Sequence, residues 1–514
     1  MRLFDFKRYF KSPRKGTIKA LIPLMLLLFI MFALPSFAQD PTGANTGTIN
    51  DIAASTAGKP TLEEVAAATG HSQIAINIMW TLIAGFLVMF MQAGFAMVET
   101  GFTQKKNVAH TMAMNFMVYG IGMLGFWICG FAFMFGGGLN VAALGGAPGV
   151  VSSEFTVHLF GHDFGLWGKA GYFLNSKVYD VGVFTLFLFQ MVFMDTTATI
   201  PTGGMAERWK FKSFIVFGFF ISMFVYPIFG NWVWGGGWLS QMGVNFGLGH
   251  GHVDFAGSSV VHEVGGVAAL VGAMVIGPRI GKYGKNGEVN TIPGHNIPMA
   301  IIGTFILAFG WFGFNPGSTL SGNDLRISVI AVNTMLASAA GAFAAALYIK
   351  ARTNKWDPGM MVNGMLAGLV AITAPCAFVT PLSSVIIGII AGLLVIFAAN
   401  FVDRTLKIDD PVGAFAVHGA NGFWGVLALG LFADGSYGDG WNGVKGTVKG
   451  LFYGDGKQFL AELIGGVTCF VFVFVVMYVF FKICAKTSIG LRSDAADEVA
   501  GLDIPEMGIH GYVD

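Results

Sequence analysis

The sequence predicts an all-α polytopic membrane protein with eleven transmembrane helices, helices 1–5 and 6–10 forming an inverted repeat and helix 11 standing outside it. Three observations predict this. Asp, Glu, Lys and Arg make up 11% of the 514 residues and hydrophobic residues 54%, whereas soluble domains run at roughly 25% charged. Apolar runs recur that are long enough to cross the membrane, which takes about 18 residues or more as helix. Lysine and arginine between those runs are distributed unevenly, as the positive-inside rule requires. A net charge of +1 leaves no basic surface for nucleic acid. Cys129, Cys376, Cys469 and Cys484 sit in apolar stretches without metal spacing, so they read as packed thiols.

The first 38 residues have the layout of a secretory signal peptide. Seven Lys/Arg fall between Arg2 and Lys19, an apolar run follows from Ala20 to Leu34, and Ser36-Phe37-Ala38 supplies small residues for a cut after Ala38. The alternative is an uncleaved first helix. Residues 39–72, rich in Thr, Ala, Gly and Asn, then form an exported polar segment. The transmembrane domain occupies 73–485, with spans near 73–98, 109–135, 179–200, 212–234, 255–277, 296–316, 326–349, 358–375, 381–402, 411–433 and 459–484. Starting outside, eleven spans leave the tail, 486–514, in the cytoplasm. The inner loops and tail then hold sixteen Lys/Arg and the outer loops six. That excess supports a mature N-terminus outside; the expected location is a bacterial inner membrane, crossed many times.

Span 5 contains Val-Val-His262-Glu-Val-Gly-Gly and span 10 contains Ala-Val-His418-Gly-Ala-Asn-Gly, so each carries His-x-x-x-Gly in mid-helix. Spans 1 and 6 each carry a Gly-Phe stretch ending on a polar residue, Gly94-Phe95…Glu99 and Gly313-Phe314-Asn315. The two halves have opposite expected topology, which is the arrangement of transporters with a midplane site. Ionisable groups inside spans are costly and mark function. Of ten histidines only His262 and His418 lie mid-span, at matching positions that suggest they face each other. An interhelical hydrogen bond is the plainer reading. Axial haem ligation is a third, but the sequence offers no second pair and no attachment motif.

Phe189 and Phe193 are four residues apart and share a helix face. Trp234 ends span 4 before a triple glycine, and Trp311, Phe312 and Phe314 cluster in span 6 before Asn315-Pro-Gly-Ser318. In a chain 14% aromatic such clusters are often packing. Aromatic faces beside a hydroxyl also suit a small cation. Asp254 begins span 5, eight residues before His262, and either caps the helix or draws cations to its mouth.

Several motifs in order give a specific resemblance over the mature chain. They are Phe189-Gln-Met-Val-Phe193…Met205-Ala-Glu207-Arg208, Asn231-Trp-Val-Trp234-Gly-Gly-Gly, Asp254-Phe-Ala-Gly…Val-His262, Gly310-Trp-Phe-Gly-Phe314-Asn315…Ser318 and Asp409-Asp410-Pro…Val-His418-Gly. The sequence resembles the ammonium transporter (Amt/Mep/Rh) family. The resemblance implies a homotrimer with one pore per subunit, no cofactor and no enzymatic activity. It implies that Phe189, Trp234 and Ser318 recruit ammonium, or methylammonium as an analogue. Phe193 and Phe314 then correspond to the gate, His262 and His418 to the paired pore histidines, and Asp254 to the family's aspartate near the outer site. Trp234 and Ser318 match the Amt branch rather than the Rh branch. The expected chemistry is recruitment of the cation, deprotonation, and passage of ammonia with separate proton transfer, in the service of nitrogen metabolism. A receptor with little flux that signals through partners is the alternative.

Two residues depart from the family pattern. Glu263 follows His262, where relatives commonly carry a neutral residue. One helical step turns it about 100° away, so it reads as a protonated or paired carboxylate, or as a helper in proton relay. Met507 stands where relatives usually have His in a tail that resembles the family's docking segment for PII-type signal proteins. Asp195 is expected to point off the gate face as a structural helix contact. With some thirty residues after the last span, no fused signalling domain is expected.

Overall fold

The computed structural model describes residues 61–137, 142–146 and 154–512. The signal-peptide reading of 1–38, and the exported segment as far as residue 60, lie outside the described residues. Ten helices among the described residues are long and apolar enough to cross a membrane, and a shorter apolar helix, Pro358–Ile372, completes the eleven. They are α1 Leu62–Phe102, α2 Lys105–Phe135, α3 Val181–Gly204, α4 Phe211–Val233, α5 Ser258–Ile276, α6 Ile297–Thr319, α7 Ile327–Thr353, α8 Pro358–Ile372, α9 Pro381–Thr405, α10 Phe415–Phe432 and α11 Gly456–Lys486. The helix α1 begins eleven residues before the apolar run that announces it. A capping box explains the extension: Thr61 accepts from the Glu64 backbone N–H at 3.2 Å while Glu64 accepts from the Thr61 N–H at 2.5 Å.

Short polar N-cap side chains start five of the other ten spans, because the first turn of a helix leaves N–H groups without partners. Asp180 caps α3, Asn296 α6, Asp357 α8, Thr380 α9 and Asp455 α11. The loop between α2 and α3 adds a two-stranded hairpin, β1 Glu154–Leu159 and β2 His162–Gly168, to the otherwise helical architecture. Phe160 and Gly161, both at positive φ, form its two-residue turn. Phe155 stacks on Trp167 across it at 4.4 Å. This loop identifies one face of the bundle, the hairpin side. The chain terminus after α11 marks the other, the tail side.

The helices α3 and α5 are buried along most of their length, and α1, α7 and α11 present large apolar side chains outward. Phe86, Phe90, Phe305, Phe343 and Phe397 are each at least half exposed, as lipid-facing residues would be. The most extensive helix pairing joins α1 to α6. Gly94 and Gly303 make it possible, since a Cβ on either would press into the other's backbone carbonyl. At the centre a Cβ on Gly266 of α5 would press into the backbone of Gly419 of α10. The equivalent helices of the two half-repeats therefore pair, α1 with α6 and α5 with α10.

Candidate functional site

Both α5 and α10 begin on an aspartate placed eight residues before a histidine. Asp254 accepts from the N–H groups of Gly257, Ser258, Ser259 and Val260 at 2.7–3.0 Å and from the Ser259 hydroxyl at 2.7 Å. Asp410 accepts from Gly413, Ala414 and Phe415 at 2.8–3.1 Å. Each helix then opens with wide turns, at Ser258–Glu263 and Phe415–Ala420, that contain the histidine. Because α5 runs from the hairpin side and α10 from the tail side, the two histidines meet head to head. Their Nδ1 atoms are 3.2 Å apart. Such a pair is hydrogen-bonded only when one Nδ1 carries the proton and the other accepts it. A metal ion seated between these two Nδ1 atoms would need them about 4 Å apart, at about 2 Å per bond.

Rings continue from the histidines toward the hairpin side in one unbroken column. His262 stacks on Phe314 at 5.3 Å, Phe314 on Phe193 at 4.1 Å, and Phe193 packs on Phe189 at 4.6 Å. Trp234 flanks Phe193 edge-on at 6.1 Å. Phe189, Phe193 and Phe314 are buried, whereas Trp234 and Ser318 are partly exposed at the mouth. Trp234 is fixed by its indole N–H, which donates to the Asp254 carbonyl at 2.6 Å. The Ser318 hydroxyl donates to the Phe314 carbonyl at 2.7 Å, leaving its lone pairs free to accept. Between them, Gly317 lets the chain pass close to the Phe189 ring.

Asp254 caps α5: its carboxylate is 1% exposed and both of its oxygens accept hydrogen bonds from the start of that helix. Glu263 stands apart from the ring column. It packs against Gly422 of α10 and faces the Cys469 thiol of α11. Asp195 is buried in α3.

A model described as the Ammonium Transporter Family matches residues 79–512. The chain belongs to this family. Its relatives include an ammonium transporter of Archaeoglobus fulgidus, Amt2, 45% identical over 95% of this chain and 94% of the relative. An ammonium transporter of Solanum lycopersicum is 34% identical over 85% of this chain and 93% of its own. Among solved structures, a sensor Amt protein superposes with a TM-score of 0.73 at 37% identity, over 85% of this chain and 99% of that one. Candida albicans Mep2 gives a TM-score of 0.68 at 27% identity, over 82% and 87%. Family members of this kind are transporters rather than enzymes, and the helical architecture agrees with these neighbours.

Three residues join this family member's site that the motifs did not single out for a role. Trp311 lies 5.3 Å from His262 and is anchored by its indole N–H to the Thr373 hydroxyl at 3.0 Å. Phe95 reaches His418 at 5.9 Å. Glu99 lines a cavity of about 20 Å³ on the tail side of His418, together with Phe95, Asn363 and Val412. Asn363 and Val412 also line a vestibule of about 480 Å³ beyond it, which Asp410 borders. The route from the histidines to the tail side is thus short and partly polar. The eight-residue Asp–His spacing, repeated at Asp410 and His418, was the available signal for Asp410.

The tail-side rim is held by ion pairs. Arg279 clasps Asp409 through two guanidinium nitrogens at 2.8 and 2.9 Å and reaches Glu207 at 3.2 Å. Arg208 donates to the Asp409 carbonyl at 2.6 Å. Burial would raise the Asp409 carboxyl, but the Arg279 fork and the Arg208 charge outweigh it and hold the group down at about 2. The tail docks on the same rim. Arg492 pairs with Glu498 at 2.8 Å, and Asp503 accepts from the His110 N–H at 3.0 Å.

Proposed function

We propose that this chain is an ammonium transporter that recruits the cation at Trp234, Phe189 and Ser318, strips its proton, and passes ammonia between Phe193 and Phe314 and along His262 and His418. The observation that carries the reading is the column of rings ending on two hydrogen-bonded imidazoles. Aromatic faces and an accepting hydroxyl suit an ammonium ion at the partly exposed mouth, where cation–π contacts are worth about 2 kcal/mol once desolvated. Below it the rings are buried. The idealised cost of burying a small ion at low dielectric is on the order of 20 kcal/mol, which those contacts do not offset. Ammonium alone among the common monovalent cations escapes that cost by leaving its proton behind. The shared hydrogen bond of the His pair offers the proton a separate path.

The hairpin side faces outward and the tail side the cytoplasm of a bacterial inner membrane, in keeping with the excess of lysine and arginine on the tail side. The same reading includes cleavage after Ala38, a homotrimer, a role in nitrogen metabolism, and a PII-type partner at the docked tail. Solid-supported membrane electrophysiology tests its core. Proteoliposomes should give a current on an ammonium pulse, and His262→Ala should lose it by on the order of 100-fold, as for other positioned proton-transfer groups. A silent wild type sinks the reading. An ammonium sensor with little flux is the second reading, favoured by the superposition on a sensor Amt protein. Binding of radiolabelled methylammonium without its accumulation in cells would select it.

A further inference from the structure

The 20 Å³ cavity on the tail side of His418 has room for one water-sized molecule. Its wall is apolar except for His418, Asn363 and Glu99. Glu99 is 3% exposed and belongs to α1. Its Oε2 accepts from Asn115 Nδ2 of α2 at 2.7 Å and pairs with Thr202 Oγ1 of α3 at 2.6 Å. The Thr202 hydroxyl is also 2.6 Å from the Thr199 carbonyl. A hydroxyl carries a single proton, so it donates to only one of these two oxygens at a time. When Glu99 is ionised, Thr202 donates to it. When Glu99 is protonated, it donates to Thr202 while Thr202 donates to the Thr199 carbonyl. Both protonation states are hydrogen-bonded without moving a heavy atom, which is the requirement for a group that takes up and gives back a proton at low reorganisation cost. The other titratable groups facing it are His418, across the cavity, and Asp410, from the start of α10. The groups that meet it from α2 and α3 are neutral.

We propose that Glu99 is the tail-side proton acceptor of the transport cycle. This rests on the reading that ammonium is deprotonated before it crosses. The N–H bond on His418 breaks as an O–H bond forms on the Glu99 carboxylate, directly or through one water in the cavity. That O–H bond then breaks and the proton passes to water in the Asp410 vestibule. There it recombines with the ammonia that crossed separately, so one ammonium enters and one leaves.

Glu99→Gln and Glu99→Asp, in the purified full chain, test the assignment. With ammonium pulses on solid-supported membranes, Glu99→Gln should lower the current by on the order of 100-fold, while methylammonium binding and the size-exclusion profile stay as in wild type. Glu99→Asp should recover part of the current with a displaced pH profile. A Glu99→Gln current and pH profile equal to wild type would overturn the assignment and leave the deprotonation reading standing. A wild type without current would remove both. If Glu99→Gln does not fold, the aspartate variant decides: a pH profile identical to wild type overturns the proposal.

Discussion

The starts of α5 and α10 carry the same parts in the same spacing, an aspartate cap, a wide-turn opening and a histidine, yet they face different surroundings. Asp254 is sealed: four N–H groups and a hydroxyl surround it, and Trp234 closes over its carbonyl. Asp410 opens onto a vestibule of about 480 Å³. Stacked phenylalanines stand between the hairpin side and the histidines. Between the histidines and the tail side there is a water-sized space with a carboxylate in its wall. An inverted repeat thus supplies two equivalent half-sites, and the residues around them pack one end closed with rings and leave the other lined by open space.

The largest test of that contrast is the cap. Asp254→Ala strands buried donors that no water reaches, each costing about 1–3 kcal/mol. We expect this variant to lose its monodisperse size-exclusion peak. A folded variant with unimpaired thermal stability would mean that Asp254 does not build the mouth. Next is the tail-side rim. Arg279→Ala leaves Asp409 buried without its partner, a change worth about 3–5 kcal/mol, and should lower the thermal midpoint in detergent. The same pair sets an acid limit. Because Asp409 is held at about 2, below its ordinary value of about 3.9, its contribution is complete above the ordinary value. It is lost as pH falls through the lower one. A midpoint that rises over that interval contradicts the pairing.

Asp410→Ala should cost less than its counterpart, about 0.5–2 kcal/mol, because vestibule water can reach the freed N–H groups. Equal losses for the two aspartates would erase the difference between the ends. The smallest effect is expected at Glu263→Gln. Glu263 packs against α10 outside the ring column, so ammonium currents should match wild type. A reduced current would draw Glu263 into the proton path.

Much of this molecule was legible in its sequence, for reasons of local chemistry. Spans are long apolar runs because lipid admits nothing else, and the paired histidines stand out because so little around them titrates. The start of α1 was missed because Thr61 and Glu64 cap it from a polar stretch that hydrophobicity does not register. The hairpin escaped because two short strands joined at Phe160-Gly161 leave little trace in an aromatic-rich loop.

By itself the sequence determined the number and order of the spans, the Asp–His spacing within each half, and the motifs that resemble the family. Only the tertiary structure decided that the His262 and His418 Nδ1 atoms meet, that Asp254 is a cap, and that Trp311, Phe95 and Glu99 gather around the histidine pair. The reason is range. Caps and periodicity act over a few residues, whereas the partners of His262 lie 49 to 156 positions away. How helices rotate against one another is fixed by where small residues such as Gly94, Gly303, Gly266 and Gly419 let backbones touch.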